Sequence, residues 1–142
     1  MTLPASAAFP SHVRGDPVDD LSAWTAALFA AIDAKDADAF LGFFTEDGRF
    51  TFANLPPAIG LDAIRHAVAA FFDSVATLRH EVADAWSLPG HVVCRGRVTY
   101  VRHDGGAVTL PFCNVLRLAG DRVDDYRIYI DPSPLFARAG TT

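Results

Sequence analysis

The second half of this chain is punctuated three times, at Pro89-Gly90, Asp104-Gly105-Gly106 and Gly120-Asp121, and every run between those marks is strand-like. Asp-Gly between apolar runs is the strongest short-range hairpin signal. The pattern predicts four antiparallel strands in chain order: Leu78–Leu88, His91–His103, Ala107–Ala119 and Val123–Asp131. Strands this long in a 142-residue chain must twist and bend, and Gly96 is the expected bend point.

The first half reads as helices. Asp19 or Asp20 can cap a helix over Leu21–Ala34, whose Trp24, Leu28 and Ala31 or Ile32 recur at helical spacing. Asp36 caps a second, short helix through Phe44. Glu46-Asp47-Gly48 then turns into a brief strand, Arg49–Ala53, and Pro56-Pro57 interrupts regular structure. A third helix runs from Leu61 or Asp62 to about Ser74 and buries Ile64, Val68 and Phe71 or Phe72. Three helices around one short strand, followed by four long strands, predict an α+β fold: a cone-shaped, curved antiparallel sheet with the helices on one face. Residues 19–137 are expected to form a single domain, after a proline-containing flexible lead-in (1–18) and before a short tail (138–142).

Composition narrows the function. Twelve basic against seventeen acidic side chains give a net charge of −5, and Lys35 is the one lysine. With no concentrated basic face, a nucleic-acid partner is not expected. No apolar run approaches the roughly 20 residues of a membrane span, and the start of the chain lacks a basic region followed by an apolar run. The reading therefore expects no membrane association and a cytoplasmic location. Cys94 and Cys113 fall within predicted strands, and no Cys or His spacing suggests a metal; neither metal nor cofactor is expected.

Side-chain alternation gives each strand two faces. Asp104-Gly105, read as a two-residue turn, places Arg97 opposite Phe112, Thr99 opposite Leu110 and Arg95 opposite Asn114. Arg97 then points inward among apolar residues and needs an anion. Asp131, at the end of the apolar run Tyr126–Ile130, is the candidate. Strict alternation, however, puts Asp131 in phase with Arg127 and away from Ile128 and Ile130. Either a bulge re-aims it, or Tyr129 and Asp131 share the cavity face. Asp131 is accordingly either a base at the cavity floor or a structural group that closes the barrel or caps the turn before Pro132. His80 is a second acid/base candidate, and Asn114 a hydrogen-bond donor to substrate. Trp24, Phe52, Phe72, Trp86, Leu110 and Phe112 supply core and cavity wall. Asp33, Asp36 and Asp38 read as a solvated helix junction.

This order of elements resembles the SnoaL-like branch of the nuclear transport factor 2-like superfamily, from about Leu21 to Phe136. The segments Phe43-Phe44-Thr45-Glu46-Asp47-Gly48, Leu55-Pro56-Pro57-Ala58-Ile59-Gly60 and Tyr126-Arg127-Ile128-Tyr129-Ile130-Asp131 carry the resemblance. Limonene-epoxide hydrolase is similar around Leu55–Gly60, and its arginine and one aspartate match Arg97 and Asp131. Thr99, Phe50 and Phe52 stand where its other aspartate, tyrosine and asparagine belong. Of the ketosteroid isomerase set, Asn114 alone is a polar counterpart, with Phe52 and Leu28 at the base and the tyrosine. The SnoaL-type polyketide cyclases fit best; they use a cofactor-free aspartate base near the end of the last strand, matching Asp131.

The resemblance implies a cofactor-independent acid/base enzyme of cyclase or isomerase type, acting on a small hydrophobic ring or polyketide-like molecule. Its catalytic residues would be Asp131, Arg97 and His80. Asn114, Thr99, Trp24, Phe52, Phe72, Trp86, Leu110, Phe112 and Tyr129 would contact substrate. It also implies a homodimer through the outer sheet face. The alternatives are a non-catalytic ligand-binding or dimerisation module, and an epoxide hydrolase with a reduced constellation.

Overall fold

The computed structural model describes residues 20–136; the expected lead-in and tail lie outside the described residues. Helices α1 (Leu21–Asp33), α2 (Ala37–Leu41) and α3 (Leu61–Ser74) accompany strands β1 (Phe44–Phe52), β2 (Ala58–Ile59), β3 (Thr77–Leu88), β4 (His91–Val101), β5 (Ala107–Ala119) and β6 (Arg122–Tyr129), and a single helical turn, α4 (Ser133–Phe136), follows. The strands form one sheet in the order β2-β1-β6-β5-β4-β3. The expected α+β class and four-strand meander are both present. No described helix is long and apolar enough to cross a membrane.

The caps fall where short acidic side chains allow them. Asp20 accepts a hydrogen bond from the Ala23 N–H at 3.1 Å, and Asp36 accepts from Ala39 at 3.0 Å. The second helix stops at Leu41, short of the expected Phe44, because Gly42 ends it and Phe44 already pairs with Val123. Glu46-Asp47-Gly48 lies inside β1, where pairing with β6 shifts register between Phe44 and Arg49. β1 runs parallel to β6 and antiparallel to β2.

The β4–β5 register overturns the sequence reading. Val101 pairs with Ala107, so the connection spans five residues and not two. It closes with Arg102 N–H to Gly106 O at 2.7 Å and Gly105 N–H to Arg102 O at 2.9 Å. Arg97 therefore opposes Pro111, and Gly96 opposes Phe112. A one-residue slip exchanges the two faces of a strand, and it does so here. Val92, Cys94, Val98 and Tyr100 join Leu110, Phe112, Asn114 and Leu116 in the buried layer, while Arg95 and Arg97 are exposed.

Gly96 is the expected bend point, and β3 carries a bulge against it: pairing steps from Val82–Gly96 to Asp84–Arg95, leaving Ala83 as the extra residue. A Cβ at position 96 would sit 2.0 Å from the Glu81 carbonyl oxygen. The bulge curls the sheet over the helices. Leu28 of α1 and Ile64 of α3 are fully buried against its concave face, with Val92, Leu116 and Tyr126. Lys35, in a left-handed conformation with φ of 57°, follows α1. Its ammonium donates to the carbonyls of Val75 at 2.9 Å and Ala76 at 3.2 Å. That link ties the end of α1 to the start of β3, which sets the geometry of the site.

Candidate active site

Between the helices and the concave sheet lies a cavity of about 120 Å³. Its walls include Phe40, Phe50, Phe52, Phe71, Phe72, Phe112, Ile128 and Ile130; His80, Tyr100, Asn114 and Tyr126 supply its polar groups. Five of the residues expected from sequence are thus brought together: His80, Asn114, Phe52, Phe72 and Phe112. Leu110 is buried in the core but does not line the cavity.

The remaining candidates are elsewhere. Strict alternation holds to the end of β6: Ile128 and Ile130 face the cavity, whereas Tyr129 is 55% exposed and Asp131 is also exposed. No bulge re-aims Asp131. Its carboxylate accepts a hydrogen bond from the Ser133 N–H at 3.1 Å and so caps the turn after Pro132. That N–H and the Ser133 side chain hold the Asp131 carboxyl below its ordinary value, the opposite of the raised value expected of a base against an apolar wall. Arg97 lies on the convex face between Glu81 and Pro111, so the expected Arg97–Asp131 pair in the cavity does not form. Thr99, on the same face, bonds Thr109 at 2.8 Å. Trp86 is 47% exposed beside Val93. Trp24 packs edge-on against Phe43 at 5.6 Å and does not reach the cavity.

What the cavity holds in place of Asp131 is a carboxylate–imidazole pair. Asp33 Oδ1 lies 2.6 Å from His80 Nδ1, and Asp33 Oδ2 accepts from the His80 backbone N–H at 2.9 Å. Asp33 is the last residue of α1, where the helix dipole disfavours an anion; the two bonds from His80 offset this. An ionised carboxylate only accepts hydrogen bonds, so Nδ1 carries a proton, and in the neutral ring Nε2 is the nitrogen with the lone pair. The ring is clamped by Phe29 at 4.6 Å and Phe112 at 5.3 Å between centroids. The His80 side chain is 9% exposed and that of Asp33 25%. Asp33 also lines a groove between α1 and β3, so the pair bridges the cavity and the protein exterior.

The other polar groups stay neutral. Burial raises the Tyr126 hydroxyl well above its ordinary value and raises Tyr100 too, which keeps both as O–H groups. Burial also pushes the Cys94 thiol up to about 12. Cys94 and Cys113 are both free thiols. Among the described residues, no group of three or more His, Cys, Asp or Glu side chains could hold a metal.

Sequence reasoning missed Asp33, Tyr100 and Tyr126. Asp33 passed as one carboxylate in a polar helix junction; its position ending an apolar helix was the available signal. Tyr100 fell on the face wrongly assigned to the exterior.

A family described as the SnoaL-like domain matches this chain over residues 25–126. No curated protein matches it. Among solved structures, it is similar to an NTF2-like protein of unknown function from Burkholderia pseudomallei K96243, with TM-score 0.74 and 16% identity over 81% of this chain and 93% of the other. A candidate SnoaL-like polyketide cyclase from Jannaschia sp. CCS1 aligns with TM-score 0.73 and 19% identity, over 85% and 92% of the two chains. TerC, co-crystallised with polyporic acid, aligns with TM-score 0.71 and 14% identity, over 79% and 92%. At these identities the likeness is one of fold.

Proposed function

The chain belongs to the SnoaL-like domain family, and from that premise we propose that it is a cofactor-independent acid/base catalyst acting on a small hydrophobic molecule in the cavity. The observation that carries this reading is the His80–Asp33 pair in the cavity wall. Asp33 fixes the imidazole tautomer, Nε2 takes a proton from an acidic C–H or O–H of the bound molecule, and Asp33 stabilises the imidazolium that results. The phenylalanine walls exclude water, which strengthens electrostatic interactions inside. Such proton transfer is the step that cyclisation and isomerisation share, and two of the structural neighbours are described as candidate polyketide cyclases.

The test uses a panel of cyclic ketones in deuterated water, following loss of the α-proton signals by NMR. The protein is expected to accelerate exchange for at least one member of the panel. A panel that exchanges at the buffer rate, although its members bind, contradicts catalysis and favours a ligand-binding module.

The convex face of the sheet supports a homodimer. A row of Trp86, Val93 and Val115 crosses β3, β4 and β5, and Trp86 and Tyr129 stand out from it, 47% and 55% exposed. Exposed aromatics at both ends of one sheet face favour association through it. Trp86→Glu is expected to convert a dimer to a monomer in size-exclusion chromatography with light scattering. A wild-type protein that elutes as a monomer at high concentration contradicts this.

A further inference from the structure

We propose that the cavity takes a neutral, one-ring molecule whose hydroxyl docks between Asn114 and Tyr126, at the end of the cavity away from His80. The proposal deepens the reading above and rests on it only for the identity of the site.

Size gives the ring. Apolar cavities of about 150 Å³ take up benzene, and this one is about 120 Å³. Charge gives neutrality: apart from His80, no lining residue is an acid or base that ionises near neutral pH, and none is a lysine or arginine. An anion placed there would lack a counter-charge.

The hydroxyl follows from two unpartnered atoms. Asn114 is 2% exposed and Tyr126 fully buried. The Tyr126 hydroxyl oxygen is within hydrogen-bonding range of the Asn114 side chain, which leaves the Tyr126 O–H without an acceptor and Asn114 Oδ1 without a donor of good geometry. Buried polar groups are nearly always satisfied, and exceptions call for a ligand, water or ion. A single hydroxyl completes both: it donates to Asn114 Oδ1 and accepts from the Tyr126 O–H. Burial without a nearby cation keeps such a hydroxyl protonated.

Register separates this dock from the base. His80 shares its row with Val98 and Leu110, and Asn114 shares its row with Ala85 and Cys94. The row of Phe112 lies between them, so the ring spans the gap and presents its far side to His80.

The test is an NMR titration of the full-length protein with p-cresol, toluene, 4-methylbenzoate and 2-naphthol. p-Cresol is expected to bind at least ten-fold more tightly than toluene and more tightly than 2-naphthol, with 4-methylbenzoate leaving cavity resonances unmoved. A site made to hydrogen-bond a hydroxyl rejects the analogue that lacks it. Asn114→Leu and Tyr126→Phe should each bring p-cresol to the affinity of toluene while toluene still binds. Equal affinity of p-cresol and toluene in the wild type overturns the proposal. So does tighter binding of 2-naphthol or of the anion, failure of every probe to bind, or a p-cresol preference that survives in both variants. These are equilibrium readouts without proton transfer. An intact p-cresol preference with no catalysed exchange would remove the catalytic reading and leave this one standing.

Discussion

His80→Asn is expected to lower catalysed proton exchange by about 10²–10⁴-fold, the usual contribution of a positioned general base, while ligand binding changes little. Asparagine keeps the backbone N–H that bonds Asp33 Oδ2, so the junction between α1 and β3 is retained. Asp33→Asn should cost about 10²-fold or more by a different route. Its amide can donate to Nδ1, which moves the ring proton to Nε2 and leaves the cavity facing an N–H in place of a lone pair. Asp131→Asn is the control. Asp131 is exposed and its hydrogen bonds from Ser133 close a turn, so exchange should stay within a few-fold of wild type. A large loss with Asp131→Asn and none with His80→Asn would return catalysis to the end of the last strand.

Gly96→Ala is expected to destabilise the fold by about 3 kcal/mol, the upper part of the range for forced overpacking. The new methyl would meet the backbone of Glu81 and Val82, the Glu81 oxygen at 2.0 Å. Backbone cannot swing aside as a side-chain terminus can, so the β3 bulge must shift or unpair. For a domain of this size the loss corresponds to a fall in Tm of about 10 °C, measurable by calorimetry. His80 lies two residues before Val82, which pairs with Gly96. The same substitution should therefore weaken ligand binding in whatever fraction remains folded. An unchanged Tm would mean that the sheet does not approach this closely at position 96.

The elements were legible in the sequence because local signals agree with the fold. Asp20 and Asp36 cap helices, Asp-Gly closes a hairpin, and apolar residues recur at the right periods. The site was less legible because it depended on register. Counting Asp104-Gly105 as a two-residue turn turned Arg97 inward. Yet the face carrying Val92, Cys94, Val98 and Tyr100 is far more apolar than the one carrying Arg95 and Arg97, and burial outweighs turn type when the two disagree. Alternation along Tyr126–Asp131 also held, which sends the aspartate outward with Arg127 and Tyr129. The Asp33–His80 contact spans 47 positions, and no spacing rule connects a helix end to a strand so distant in sequence. Of the polar residues expected to face inward, His80 and Asn114 line the cavity, although the bulge after Val82 turns Trp86, expected on the face of His80, outward.

The most direct test of the central claim is the nitrogen NMR spectrum of the His80 ring in the full-length protein, read for tautomer and for response to ligand. The expected result is a proton on Nδ1, shared with Asp33, a neutral ring whose Nε2 is the unprotonated nitrogen, and an Nε2 signal that moves when p-cresol enters the cavity. A proton resident on Nε2, or an Nε2 signal indifferent to a ligand that demonstrably occupies the cavity, would contradict the assignment of His80 as the base.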